Sequence, residues 1–297
     1  DASAHFNLGV AFKSADQLEQ AAASYRRALK LKPQYIEALS NLGGVLQDLG
    51  QLEEAVQSYR QAIAIQPNTA ELHNSLGIAL KNRGQLNEAR QSYQQALKIK
   101  PAYADAHFNL GNLLKELGQL NEAIVSYRQA IHLKPNNALA YCNLGSVLKE
   151  LGNANESLRC YQRAIEIDPL FAEAHSNLGA LFRELGRTNE ALLSFQKALE
   201  IKGDSAEVHS SLGLMLYDLK QYDQAITSCQ RALAIDPQYA DAYNNLGLCF
   251  KATGQWDQAI ASYRQAITCN PDYASAHSNL GNILREAGQY EEAPTHY

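Results

Sequence analysis

Apolar and small residues return at a fixed interval of 34 along the chain, and within each interval they fall on two stripes of helical spacing. Counted in units that begin at residues 2, 36, 70, 104, 138, 172, 206, 240 and 274, the first stripe occupies positions 3, 7, 10, 11 and 14. Ala106, Leu110, Leu113, Leu114 and Leu117 show it in the fourth unit, and Gly118 at position 15 supplies a left-handed stop. The second stripe runs through positions 17, 20, 21, 24, 27, 28 and 30, here Leu120, Ala123, Ile124, Tyr127, Ala130, Ile131 and Leu133, before Pro135 blocks continuation. Each unit is thus predicted to be a pair of helices, A and B. The 297 residues hold eight full units and the first 24 positions of a ninth, with no insertion.

Leu-Gly stands at positions 7 and 8 in all nine units, from Leu8-Gly9 to Leu280-Gly281. The missing side chain at position 8 and the one-carbon side chains at 20 and 27 let helices approach closely, while Tyr at 24 fills the space between layers. A helix pair of this kind has two apolar faces and cannot bury both alone. The expected fold is therefore an all-α solenoid of stacked helix-turn-helix units.

These residues resemble the tetratricopeptide repeat family, whose pattern places an aromatic at 4, Leu-Gly at 7 and 8, Ala at 20, Phe or Tyr at 24, Ala at 27 and Pro at 32. The resemblance covers essentially the whole chain and implies one right-handed superhelical solenoid over 1–297. Position 4 departs from it: the family's Trp is replaced by His5, His73, His107, His175, His209 and His277. More narrowly, the A-H-x-N-L-G runs at Ala106–Gly111, Ala174–Gly179 and Ala276–Gly281 resemble the superhelical arm of O-linked N-acetylglucosamine transferases. That family's catalytic domain has no counterpart in this sequence.

Composition narrows the function classes. With 26 basic and 31 acidic residues the net charge is −5, the wrong sign for phosphate backbones or anionic lipid. No apolar run approaches the ~18 residues of a spanning helix, and five scattered cysteines form no C-x-x-C pair. A soluble, reduced, cytoplasmic protein is expected. No metalloprotease, dinucleotide, P-loop or nucleophile-elbow motif occurs, so neither catalysis nor a cofactor is expected. Equivalent histidines of neighbouring units lie about 8–10 Å apart, too far to share a zinc ion with ligands at roughly 2 Å, and core packing is their expected role. Cys229 and Cys249 occupy apolar positions 24 and 10 and are expected to be buried.

The informative surface is the other face of helix A, where positions 2, 6, 9 and 13 form a stripe predicted to line the inside of the solenoid's curve. Position 6 is Asn in seven of nine units: Asn7, Asn41, Asn109, Asn143, Asn177, Asn245 and Asn279. A carboxamide offers a donor and an acceptor that match a peptide unit, and units ~8–10 Å apart would place one Asn at roughly every third residue of an extended segment. The alternative is that each Asn bonds to a neighbouring helix. In the transferase arm an asparagine ladder grips peptide backbones, and the resemblance carries that role to these seven positions. Beside them run acids at position 2, bases at position 12 including Lys115, Lys149 and Arg183, and acids at position 13 including Glu116, Glu150 and Glu184. These columns read equally as ligand contacts or as a self-neutralising surface. Position 5 lacks the Lys that repeats gripping the carboxylate tail of heat-shock chaperones require.

The expected function is a non-catalytic protein-interaction scaffold that binds an extended peptide or protein segment along the groove. Two further readings stay open: the substrate-selecting arm of a larger glycosyltransferase whose catalytic part is absent, and self-association through uncapped ends. The seventh unit should be the weakest, since Gly203 replaces the proline before it, Lys220 the position-15 glycine, Ser211 the asparagine and Cys229 the aromatic. Pro294 should interrupt helix B of the ninth unit and leave Leu280, Ile283 and Leu284 partly uncovered.

Overall fold

The computed structural model describes residues 1–286, which form seventeen α-helices and no strand. They fall into two compact units that divide between Gly152 and Asn153. The first holds α1 (Ala2–Ser14), α2 (Leu18–Leu31), α3 (Ile36–Asp48), α4 (Leu52–Ile65), α5 (Ala70–Asn82), α6 (Leu86–Ile99), α7 (Ala104–Glu116), α8 (Leu120–Leu133) and α9 (Ala138–Glu150). The second holds α10 (Ala154–Ile167), α11 (Ala172–Glu184), α12 (Thr188–Ile201), α13 (Ala206–Asp218), α14 (Tyr222–Ile235), α15 (Ala240–Ala252), α16 (Trp256–Cys269) and α17 (Ala274–Glu286). Odd-numbered helices are the A helices of the sequence pattern and even-numbered ones the B helices. Within each unit, successive helices pack in chain order.

The helix ends follow the residues that the pattern singled out. Gly118 takes a left-handed φ of 70°, which lets the Gln119 N–H reach back to the Leu114 carbonyl at 2.8 Å and close helix A. Lys220 and Asp16 hold the same left-handed conformation, at φ 61° and 57°. Asp16, at position 15 of the first unit, is thus a second departure of the Lys220 kind.

The core explains the invariant glycine. A Cβ built on Gly111 would lie 2.8 Å from two ring carbons of Tyr127, which is itself fully buried. The same ring-in-notch contact joins Gly9 to Tyr25, Gly43 to Tyr59, Gly77 to Tyr93 and Gly179 to Phe195. Glycine at position 8 therefore makes room for the aromatic ring of its own unit, in addition to bringing helices together. In the seventh repeat Cys229 replaces that ring, and Leu212 is half-buried, whereas Leu178 and Leu246 on either side are 8% and 6% exposed.

Leu280, Ile283 and Leu284, expected to be partly uncovered, are fully buried in a cluster with Ala259, Ile260 and Tyr263 of α16. Pro294 and the predicted interruption of the ninth B helix lie outside the described residues. No helix among the described residues is long and apolar enough to cross a membrane.

Candidate functional site

The A helices place the asparagine column on one stripe, with Asn7 exposed, Asn41, Asn109, Asn143, Asn177 and Asn279 half-buried, and Asn245 buried. Four of these amides reach the preceding repeat. Asn109 Nδ2 donates to Asn74 Oδ1 at 3.0 Å, Asn279 Nδ2 to Asn244 Oδ1 at 3.0 Å, and Asn245 Nδ2 to Ser210 Oγ at 3.0 Å. In each case the acceptor stands at position 5 of the A helix before. Asn143 instead donates to Asn112 Oδ1 at 2.9 Å, an oxygen that also accepts from the Tyr127 hydroxyl at 2.8 Å. Asn177 also has a bonding partner. Four of the seven asparagines are thus built into the stacking of the repeats.

A carboxamide has two N–H donors and a carbonyl. Seating one N–H of Asn109 and of Asn279 on the preceding helix fixes the plane of the amide and orients its second N–H and its carbonyl.

The charged columns pair along the stack. Lys81 bonds Glu116 at 3.3 Å, Arg183 bonds Asp218 at 3.2 Å and Lys251 bonds Glu286 at 2.8 Å, each linking position 12 to position 13 of the next repeat. Lys115 donates to the Ser146 hydroxyl at 3.1 Å, and Lys149 and Glu184 are both engaged. Glu150 is exposed at the end of α9. At the other end of the A helices, Lys100 bonds Glu71 at 2.8 Å and sits 4.8 Å from the Tyr103 ring centroid, and Lys134 bonds Asp105 at 2.6 Å. The Lys100 pairing holds the Glu71 carboxyl below its ordinary range, chiefly through the hydrogen bond. Exposed pairs of this kind are screened by solvent and add little to stability. They neutralise the surface more than they stabilise it.

The position-4 histidines have a role that periodicity did not show. Nε2 of His73, His107, His175 and His277 lies 2.8–3.0 Å from the carbonyl of the proline six residues earlier. Each ring pins the turn between one repeat and the next. They are half-buried turn clamps, whereas core packing was expected. His209 alone is buried; it bonds the Gly203 carbonyl at 3.2 Å, its Nδ1 has no partner, and burial lowers its pKa. Cys229 and Cys249 are buried as expected, and burial pushes their thiols up to about 12 and about 11. Thiols so raised are poor nucleophiles at neutral pH. No group of three or more His, Cys, Asp or Glu among the described residues is placed to hold a metal.

A chain of 34-residue helix pairs with its faces spent on stacking defines a repeat scaffold. It belongs to the tetratricopeptide repeat family: models described as TPR repeat match residues 11–50, 45–84, 79–118 and 111–152, and models described as tetratricopeptide repeat match 136–203, 204–272 and 262–293. Repeats of this family form protein-interaction scaffolds. No curated protein matches the sequence.

Among solved structures, MamA is 26% identical over 55% of this chain and 95% of its own, with a TM-score of 0.52. The hetero-tetramer Cut9-Hcn1 of the APC/C gives a TM-score of 0.71 at 19% identity, over 90% of this chain and 52% of that one. A tetratricopeptide repeat protein from Parabacteroides merdae ATCC 43184 gives 0.67 at 18% identity, over 84% and 98%. The last two likenesses show the fold alone.

Proposed function

We propose that the protein captures an extended peptide or protein segment along the face formed by positions 2, 6, 9 and 13 of the A helices, and that the asparagine column reads the segment's main chain. The observation that carries this is a carboxamide on seven of nine A helices, oriented at Asn109 and Asn279 by a bond to the helix before. Spacing of about 8–10 Å between neighbouring A helices matches roughly three residues of extended chain. Recognition of this kind tolerates many sequences and needs no cofactor or catalytic group. A second reading, favoured by the three A-H-x-N-L-G runs, makes the same face the substrate-recognition arm of a larger glycosyltransferase.

Replacing Asn109, Asn143 and Asn177 together by Ala tests the first reading. Each neutral hydrogen bond contributes roughly 0.5–1.5 kcal/mol, so affinity is expected to fall at least about tenfold, equally for ligands of different sequence. Because Asn109 and Asn143 also bond their neighbours, binding is measured below the variant's melting range. Undiminished binding there refutes the role.

A further inference from the structure

Two regularities of the A-helix face fail together between the seventh and eighth repeats. At the C-terminal ends of the A helices, the base-to-acid bond made by Lys81–Glu116, Arg183–Asp218 and Lys251–Glu286 has Tyr217 and Ala252 at its two positions. Position 9 is Leu in both repeats, Leu214 and Leu248, the one place where two adjacent repeats carry large apolar residues there; Val10 and Ile78 are separated by Gly44, and the others are Asn112, Ser146, Ala180 and Asn282. Leu214, Tyr217 and Leu248 are all half-buried and keep part of their apolar surface at the face. The result is an uncharged, apolar interval flanked on both sides by ion pairs, Arg183 with Asp218 before it and Lys251 with Glu286 after it.

At the N-terminal ends the charge balance also breaks. The third and fourth repeats neutralise their position-2 acids internally, Glu71 with Lys100 and Asp105 with Lys134, and Lys100 lies over the Tyr103 ring. In the sixth repeat Lys202 and Glu173 line an open cleft of about 180 Å³ that runs to Glu207. In the seventh the lysine position is Asp236, while the acid Glu207 and the ring Tyr239 are retained. Glu207, Asp236 and Asp241 all bear on Tyr239, whose hydroxyl is pushed up to about 12 by burial first and by these carboxylates after it. Acceptors and ring remain where the lysine has gone.

We infer that the seventh and eighth repeats recognise a segment of a protein partner that carries a large apolar side chain together with a nearby lysine or arginine. The apolar side chain lies against Leu214 and Leu248. The cation takes the place beside Glu207, Asp236 and the Tyr239 ring that Lys100 fills in the third repeat. Charge complementarity selects this occupant: Arg183 and Lys251 are spent on Asp218 and Glu286, and Lys202, the base in the cleft that runs to Glu207, faces Glu173 and Glu207 together, so with Asp236 the carboxylates are in excess and favour a cation from outside. Positions 2 and 9 of one helix are seven residues and about 10 Å apart, which an extended segment spans in about three residues. The partner's basic residue is therefore within about three residues of its apolar one. The inference rests on the peptide-binding reading and adds to it what the segment contains.

Panning a phage-displayed library of random dodecapeptides against the whole chain tests it, followed by binding of one enriched peptide to variants. The enriched peptides are expected to share a large apolar residue with Lys or Arg within three positions. Asp236→Lys restores the residue type of the first, third, fourth and sixth repeats and is expected to fill the cation site from within, reducing affinity at least tenfold with unchanged melting. Leu214→Asn with Leu248→Asn is expected to remove the apolar preference from a second panning. Enriched peptides that lack the pair, or an Asp236→Lys variant that binds as tightly as the parent, overturn the inference while leaving main-chain capture standing. Failure to enrich any peptide overturns both.

Discussion

Substituting Gly111→Ala, alone and with Tyr127→Leu, isolates the glycine–ring contact that recurs at Gly9, Gly43, Gly77, Gly179 and Gly247. In the parent chain the new Cβ meets two carbons of the Tyr127 ring at 2.8 Å and a third at 3.2 Å, against an ordinary carbon–carbon separation of about 3.5–4.0 Å. The ring has nowhere to move, because it is fully buried and its hydroxyl is held by Asn112. Overpacking of this kind costs about 1–3 kcal/mol, and Ala gains about 1 kcal/mol over Gly within a helix. The net expectation is a loss of up to about 2 kcal/mol. With Leu at 127 the clash is relieved, and the same change should stabilise by up to about 1 kcal/mol. Since stability in stacked repeats is a sum of local contributions, the assay is native-state amide exchange in α7 and α8. An equal effect of Gly111→Ala in both backgrounds would refute the ring-in-notch account.

Two further outcomes concern the seventh repeat. Lys220→Gly relieves a non-glycine residue from left-handed backbone and should slow amide exchange across residues 203–237 by an amount corresponding to about 1 kcal/mol; unchanged exchange there counts against strain at this site. His209 supplies a pH dependence. Burial, with a smaller contribution from Arg231, lowers its pKa below that of the opened form, while the Gly203 bond and Asp204 oppose the shift. The opened form therefore binds the proton first: the full stability is present above pH about 6.5 and is lost as pH falls through the folded value. Exchange around 203–216, corrected for its intrinsic pH dependence, should rise on acidification, and in a His209→Gln variant that rise should be lost; an equal rise in both contradicts the assignment.

The 34-residue period, the Leu-Gly pair and the stop residues made the helices and the core readable, because those features act within one repeat. Contacts between repeats were not readable in the same way. Asn109 to Asn74, Asn279 to Asn244, Arg183 to Asp218 and Lys251 to Glu286 all join residues 35 apart, one period plus one. That offset comes from the lateral rotation of one helix pair on the next, which a within-repeat pattern does not contain. The pairing of Lys or Arg at 12 with Asp or Glu at 13, repeated down the chain, was a signal for it. The histidine clamps were missed for a different reason: their partner is a backbone carbonyl, and no side-chain pattern marks it.

Alanine substitution alone leaves the asparagine role entangled with stacking, because removing Asn109 also strips the buried Asn74 of its donor. The direct measurement is a double-mutant cycle that pairs Asn143→Ala or Asn109→Ala with single amide-to-ester replacements along a bound peptide, which delete one main-chain N–H and weaken one carbonyl without touching a side chain. Main-chain reading predicts a coupling of about 0.5–1.5 kcal/mol at one ester position for each asparagine, with the two positions about three residues apart. Coupling indistinguishable from zero at every ester position, in variants that still bind the parent peptide, would contradict it.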